Sequence, residues 1–466
     1  MSKLLGSSSA QKSASFYYPT SPIECAGASQ YSTRNLIIAC VSIPYLFKYL
    51  LNLSWVSYFI TALLTFLPIA GLSLVLGSWT SSYPTDQQFS ATNQPLSDFI
   101  EILDDELKSK YAGTSKIPME LFFESYFDGK INLKDDCLKV FEQRYQWATF
   151  GLTLNQLKFF LLQFLPELLW HSKKQDEDQV RDHYDRGDDF YAAFLGETMI
   201  YTSGIVSDPS EKESLEKLQE NKLHDVCTRL DLQPGDRHLD LGCGWGTLVN
   251  YAAKNFGSNS TGVTLGINQA KFGNDKAISL KTSDKVKILC MDYRECPRRP
   301  KYNKISCLEM AEHVGVRKFG EFLLQVKDML EDDGLFYLQI AGLRSAWQYE
   351  DFVWGLFMAK YVFPGADASC PLNWVINQLE TSGFEVRSTL TIGVHYSVTI
   401  GRWYENWMKN KQTITDKYGK RWFRIWEIFL AWSVIIARQG SSTCYQILAH
   451  KNLNAFDRSS IITKPL

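Results

Sequence analysis

The stretch HLDLGCGWGTL, His238 to Leu248, runs from an apolar segment into three glycines at positions 242, 244 and 246. Glycine lacks a Cβ and tolerates positive φ, so such spacing marks a tight turn where a ligand or a packed helix comes close to the backbone. Reading outward, short apolar strands are predicted at Arg237–Leu241, Ser260–Leu265, Val286–Met291, Lys304–Glu309 and Leu335–Ala341, with helical spans between them. That alternation predicts an α/β fold, a mostly parallel sheet with helices on both faces. Two later segments, from Phe384 and from Thr443 to Ala449, complete a seven-stranded Rossmann-like sheet.

In such a sheet the ligand lies beyond the carboxyl ends of the strands, nearest the first strand-to-helix turn. This sets Asp240, Gly242, Gly244 and Gly246 against a cofactor. A dinucleotide fingerprint would read G-x-G-x-x-G; here the spacing is G-x-G-x-G. With no pyrophosphate to seat, the turn suits S-adenosylmethionine, the glycines admitting its amino-acid part and ribose. Thr264, Leu265 and Gln269 follow the second strand, and Asp292 and Tyr293 follow the third. There a carboxylate can accept from the adenine amine and an aromatic ring can stack on the base.

The net charge is −2 over 466 residues, without the basic footprint of a nucleic-acid partner. Ten cysteines are scattered with no CxxC pair, so neither a metal site nor a disulfide framework is expected. From Asn35 to Trp79 Lys48 is the only charge, and Trp55–Trp79 alone exceeds the about 20 residues that span a bilayer as a helix. An N-terminal transmembrane hairpin over 35–79 is expected, following a polar tail over 1–34, with Lys48 snorkelling to the headgroups. The tail is too polar and long for a cleaved leader. A helical, membrane-proximal linker is expected over 80–175, with 98–150 mostly helical and Leu152, Phe159, Phe160, Phe164 and Leu168 on a helix that suits either a bilayer surface or a core. The catalytic domain then spans 176–466.

Six ordered motifs carry a resemblance: HYDRGDDFY (from His183), LDLGCGWGTL, GVTLGINQ, LEMAEHVG (from Leu308), YVFPGA (from Tyr361) and HYSVTIGRWYENW (from His395). Together they resemble the cyclopropane-fatty-acid synthase family. YTSGIVSD, LQIAGLR and WQYEDFVWGLFMAKYVFPGADAS, behind a membrane hairpin, look like its fungal branch of sphingolipid C9-methyltransferases. The resemblance implies a class I adenosylmethionine-dependent methyltransferase with helical substrate-binding insertions. It also implies methyl transfer to an alkene of a membrane lipid, ceramide or glucosylceramide, at the cytosolic face of the endoplasmic reticulum. The alternative acceptor is a phospholipid acyl chain.

Carried over by motif, Glu312 with His313 matches the carboxylate that in the family orders a bicarbonate thought to act as base, and Tyr396 matches a tyrosine beside that anion. Glu309 ends a strand and should face the cofactor, joined by Tyr201, Thr202 and Ser203; His183 and Tyr184 should shape a lid over it. Ser203 stands where bacterial members carry cysteine and Gln339 where they carry histidine, both at the expected anion site. A differently held bicarbonate and a base from the protein itself both stay open. The aromatic segment from Trp347 reads equally as a core helix or as the wall of an acyl tunnel, and its place after the fifth strand favours the tunnel.

Overall fold

The computed structural model describes residues 32–80, 94–111, 113, 116–166, 187–364 and 370–454; the His183 and Tyr184 of the expected lid lie outside them. The main sheet holds β1 (Arg237–Leu241), β2 (Asn259–Thr264), β3 (Val286–Cys290), β4 (Tyr302–Leu308), β5 (Leu330–Leu343), β6 (Phe384–Thr391) and β7 (Ser442–Lys451). In space the order is β6-β7-β5-β4-β1-β2-β3, and only β7 runs against its neighbours. The expected seven-stranded sheet is present. Chain order reverses between β1 and β4, which opens a crevice at the carboxyl ends of these central strands. Across this centre the buried His238 ring of β1 reaches Ser260 Oγ of β2 at 3.1 Å and Ser306 Oγ of β4 at 2.9 Å. Burial presses its pKa down to about 3, so the ring is neutral and can pair with both hydroxyls.

The helices that matter for the site are α1 (Thr33–Leu50) and α2 (Trp55–Thr80) ahead of the sheet, and α3 (Leu215–Arg229), α4 (Thr247–Phe256), α5 (Ile267–Ser279), α6 (Phe319–Met329), α7 (Tyr349–Phe357), α8 (Gly393–Lys409) and α9 (Lys420–Arg438) within the catalytic part. Leu323 and Val326 of α6 are buried in the core on one sheet face, while Val226 of α3 and Ala252 of α4 pack in another cluster with Tyr337 of β5.

The expected transmembrane hairpin needs correction. Its two helices turn back on each other at residues 51–54, yet among the described residues no single helix is long and apolar enough to cross a membrane. Pro68 removes a backbone donor inside α2, and the segments Trp55–Phe66 and Pro68–Thr80 are bent by 48°. Lys48 stands 4.4 Å over the Trp55 ring, a cation–π contact in place of a free snorkelling charge. Most large apolar side chains of α1 and of the first half of α2 are exposed, Leu63 at 78%. The far end of α2 docks: Trp79 lies against Gly151 and donates from Nε1 to Leu152 O at 3.0 Å, and Ser78 Oγ accepts from Leu152 N at 2.8 Å.

Residues 96–150 also differ from the mostly helical reading. They form short helices and two small two-stranded sheets, Ile100–Ile102 with Ile131–Leu133 and Ile117–Pro118 with Ala148–Thr149. Their apolar residues serve a shared core: Phe141 and Phe150 meet Trp432 of α9, and Phe123 meets Phe357 of α7. A buried pair fixes the contact, Arg144 donating from Nε to Glu350 Oε1 at 2.5 Å and from Nη2 to Oε2 at 3.2 Å. Trp432 Nε1 adds a donor to Glu350 Oε1 at 3.0 Å, so this sealed carboxylate is satisfied from three directions. The expected apolar helix is α-helical over Leu154–Phe159, continues as a wide π turn over Phe160–Phe164, and sets Phe160 edge to face against Phe352 of α7; Leu168 lies outside the described residues.

Candidate active site

The opening glycines differ in what surrounds them. All have positive φ, +77°, +54° and +74° in order. A Cβ on Gly242 would meet Met310 Cβ at 2.5 Å, and one on Gly246 would strike Ile288 of β3 and press on Gly273 of α5. One on Gly244 would meet nothing within 4 Å. Gly244 alone therefore faces open space, and Gly246, expected against the cofactor, serves packing of the turn against the protein.

That open space has two lobes joined along Gly242, Gly244 and Gln269. One lobe is lined by Thr264, Leu265, Gln269, Asp292, Tyr293, Met310 and His313. The other is lined by Tyr201, Thr202, Lys222, Asp240 and Trp245. The first is apolar with an aromatic and a carboxylate at its end, as an adenine requires. The second is lined by hydroxyl, ammonium and carboxylate groups, as an amino acid requires. Asp240 is buried and accepts from Ser306 Oγ at 2.6 Å; burial raises its pKa to about 6 against the opposing pull of Ser306 and Lys222. Gln269 is held by Thr264, whose Oγ1 donates to Oε1 at 2.6 Å. Asp292, expected to meet an adenine amine, is engaged by Arg294, with Nη2 to Oδ2 at 2.6 Å. These residues fit S-adenosylmethionine.

Lys222 was not singled out by any motif. It projects from α3 with Gln219 one helical turn away, and both grip the loop below: Lys222 Nζ donates to Thr202 Oγ1 and Gln219 Nε2 to Thr202 O, each at 2.8 Å. Burial lowers its pKa to about 8 while Glu309 and Asp240 pull the other way. From the opposite side α8 receives the same loop, Gly204 N donating to Thr399 Oγ1 and Val206 N to His395 Nδ1, each at 3.0 Å. The YTSGIV loop is thus clamped between two helices. Its Ser203, expected at the cofactor, is buried, turns its hydroxyl to Gly204 O and presents its N–H to Glu309.

A third cavity adjoins the first two along Tyr201, Glu309 and His313. Trp354, Met358, Phe363, Ile400, Trp403 and Phe429 line it, with Tyr201, Glu309, Glu312, His313 and Tyr396 on the side of the donor lobes. Glu309 borders all three cavities. It follows β4 with φ of +55°, a conformation that costs a side-chain-bearing residue energy and marks functional sites. Its backbone N–H is tied to Gln339 O at 2.7 Å.

The two glutamates of LEMAEHVG have opposite surroundings. On Glu309, Oε1 accepts from Ser203 N at 3.0 Å, Gln339 Nε2 at 2.6 Å and Cys444 Sγ at 3.6 Å, and Oε2 accepts from Tyr396 OH at 2.6 Å. On Glu312, Oε1 accepts from Ala341 N at 2.9 Å and Oε2 has no partner among the described residues. Burial, reinforced by the nearby Glu309 charge, raises the Glu312 pKa to about 8. Glu312, the expected catalytic carboxylate, is therefore mostly protonated at neutral pH.

Known proteins bear on this geometry. The family model for mycolic acid cyclopropane synthetase matches residues 171–447. The sphingolipid C9-methyltransferase of Komagataella phaffii is 53% identical over 410 residues, 85% of this chain and 84% of that protein. The Candida albicans enzyme of the same name is 47% identical, covering 94% and 87%. Among solved structures, the cyclopropane synthase MmaA2 from Mycobacterium tuberculosis superposes with a TM-score of 0.55 at 24% identity, over 59% of this chain and 98% of that one. Coclaurine N-methyltransferase does so with 0.58 at 17%, over 72% and 99%; both show the class I methyltransferase fold. The chain belongs to the mycolic acid cyclopropane synthetase family, within its sphingolipid C9-methyltransferase branch.

Proposed function

We propose that the protein methylates carbon 9 of a Δ8-unsaturated sphingoid base, carried in ceramide or glucosylceramide, at a membrane surface. The observation that carries the reading is the junction at Glu309, where a pair of donor lobes, one apolar and one polar, meets an apolar, aromatic cavity. The names of the relatives supply the lipid class and the position.

S-adenosylmethionine supplies an electrophilic methyl group. The residues of the chain do the rest. Gly244, Asp240 and Gln269 seat the donor with its reactive end toward Glu309, and Trp354, Phe363 and Trp403 hold the alkene in line and exclude water. The alkene π pair forms the new bond from carbon 9 to methyl, leaving a cation at carbon 8. Aromatic faces such as Trp403 and Tyr201 stabilise that charge. Loss of the carbon 9 proton restores the double bond and gives a branched alkene.

The exposed apolar face of α1 and α2 supports immersion of the hairpin in a bilayer, bent at Pro68. Because α2 docks beside α7, whose Trp354 lines the lipid cavity, the hairpin would bring that cavity to the membrane. The same reading assigns the endoplasmic reticulum, catalytic sheet toward the cytosol. Expression in a host lacking branched sphingoid bases, followed by lipid mass spectrometry, tests the function. A 9-methyl, 8-unsaturated base is expected; methylated or cyclopropanated phospholipid chains with unchanged sphingolipid would overturn it.

A further inference from the structure

The resemblance implies a bicarbonate held by residues at the positions of Ser203, Gln339, Tyr396 and Glu312. The structure does not fit that anion. Three of its four expected partners, the Ser203 N–H, the Gln339 amide and the Tyr396 hydroxyl, converge on the carboxylate of Glu309. Gln339 turns its amide nitrogen to Glu309, and its carbonyl oxygen accepts from Gln446 Nε2 at 2.9 Å. The fourth, Glu312, is turned to the backbone of Ala341. Among the described residues these donors meet one carboxylate, that of Glu309.

We propose that the carboxylate of Glu309 is the catalytic base, replacing a free anion, and that its Oε2 takes the proton from carbon 9 of the lipid. The proposal rests on the alkene methylation inferred above and names the group that completes it. Geometry selects the atom. A carboxylate oxygen offers about two lone-pair sites; Oε1 is saturated by Ser203, Gln339 and Cys444, whereas among the described residues Oε2 has only Tyr396. Glu309 also borders both the donor lobes and the lipid cavity, so it meets the reacting carbons wherever the two substrates touch.

The step balances. The S–CH₃ bond breaks with its pair left on sulfur, and the alkene pair becomes the C9–CH₃ bond. The C9–H pair then becomes the C8=C9 π bond, and the proton passes to Oε2. A proton next to a carbocation is strongly acidic, so a carboxylate suffices and its position decides the outcome. Proton loss from carbon 9, not from the new methyl, leads to a branched alkene in place of a ring, and a base tethered to the protein fixes which proton is reached.

The test uses the purified full-length protein in lipid nanodiscs, with the olefin lipid that the wild type methylates as acceptor. A different lipid class would overturn the functional reading and leave this comparison in force. Single turnovers of the wild type in carbon dioxide-free buffer are expected to match those with added bicarbonate. Glu309→Gln should lower turnover by about a hundredfold or more while calorimetry shows a donor Kd within about threefold of wild type. Glu309→Ala, with room for a small anion, should regain about tenfold in rate with formate or bicarbonate, a rescue that a merely structural role would not give. Loss of wild-type activity on removing bicarbonate, or turnover of Glu309→Gln within about tenfold of wild type, would overturn the proposal.

Discussion

The donor and lipid halves of the cleft are built in different ways. On the proposed reading the donor half comes from strand ends and the turns that immediately follow them: Asp240 in β1 and Gly244 after it, Thr264 at the end of β2 and Gln269 after it, Asp292 and Tyr293 after β3. Local backbone geometry suffices to place each. The lipid half is assembled at long range, from Tyr201 before the sheet, Trp354 on α7, Trp403 on α8 and Phe429 on α9. Locally coded sites are held by φ/ψ and tolerate little at the turn. Sites assembled from packed side chains should fail in proportion to the surface lost.

The sharpest break in that comparison should come from the turn. Gly244→Val sets a branched side chain at φ of +54° and points it into the donor space; the expected result is loss of donor affinity by about a hundredfold or more, read by calorimetry. Trp354→Ala tests the other half. It should lower kcat/KM for the lipid by about tenfold and leave the donor Kd unchanged; a changed donor Kd would show that the halves are not separable.

Glu312→Gln separates the two glutamates by pH. With the Glu312 pKa raised to about 8 in the fold, its neutral form is favoured there, so this group's contribution to wild-type stability is largest below the ordinary carboxylate range. It falls as pH rises toward about 8, because the unfolded chain ionises first. The variant lacks this loss. Its unfolding free energy should gain on that of the wild type between about pH 5 and pH 8 and level off above, as denaturant titrations would reveal. The smallest effect is expected at the hairpin contact: Trp79→Ala removes one hydrogen bond to Leu152 and the packing of a half-exposed ring on Gly151 and should cost about 1–2 kcal/mol, seen as a lower Tm with donor binding unaltered.

The same contrast governs what the sequence makes legible. The strands announce themselves because each central one is an apolar run bounded by a turn, and observed bounds fall close to expectation at Arg237–Leu241 and Val286–Cys290. β5 starts at Leu330, earlier than expected, because the polar run Glu331, Asp332 and Asp333 continues the extended backbone without hydrophobic alternation. Most donor contacts follow from strand ends. The carboxylate assignment does not, since Glu309 and Glu312 sit three residues apart in one motif. What distinguishes them is partners 106, 30 and 87 residues away, Ser203, Gln339 and Tyr396. The replacements at Ser203 and Gln339 were the visible trace, pointing to an altered anion site without naming the group that fills it. Lys222 had no trace at all, being one lysine of an otherwise ordinary amphipathic helix.

The account holds that methyl donor and lipid olefin meet at Glu309 and that the proton lost comes from carbon 9. The direct measurement is turnover of a Δ8-unsaturated sphingolipid deuterated at carbon 9 by purified protein with S-adenosylmethionine. Mass spectrometry should find a product that has gained one methyl group, lost the deuterium and kept its double bond. A methylated product that retains the deuterium, or one closed into a cyclopropane, would contradict it.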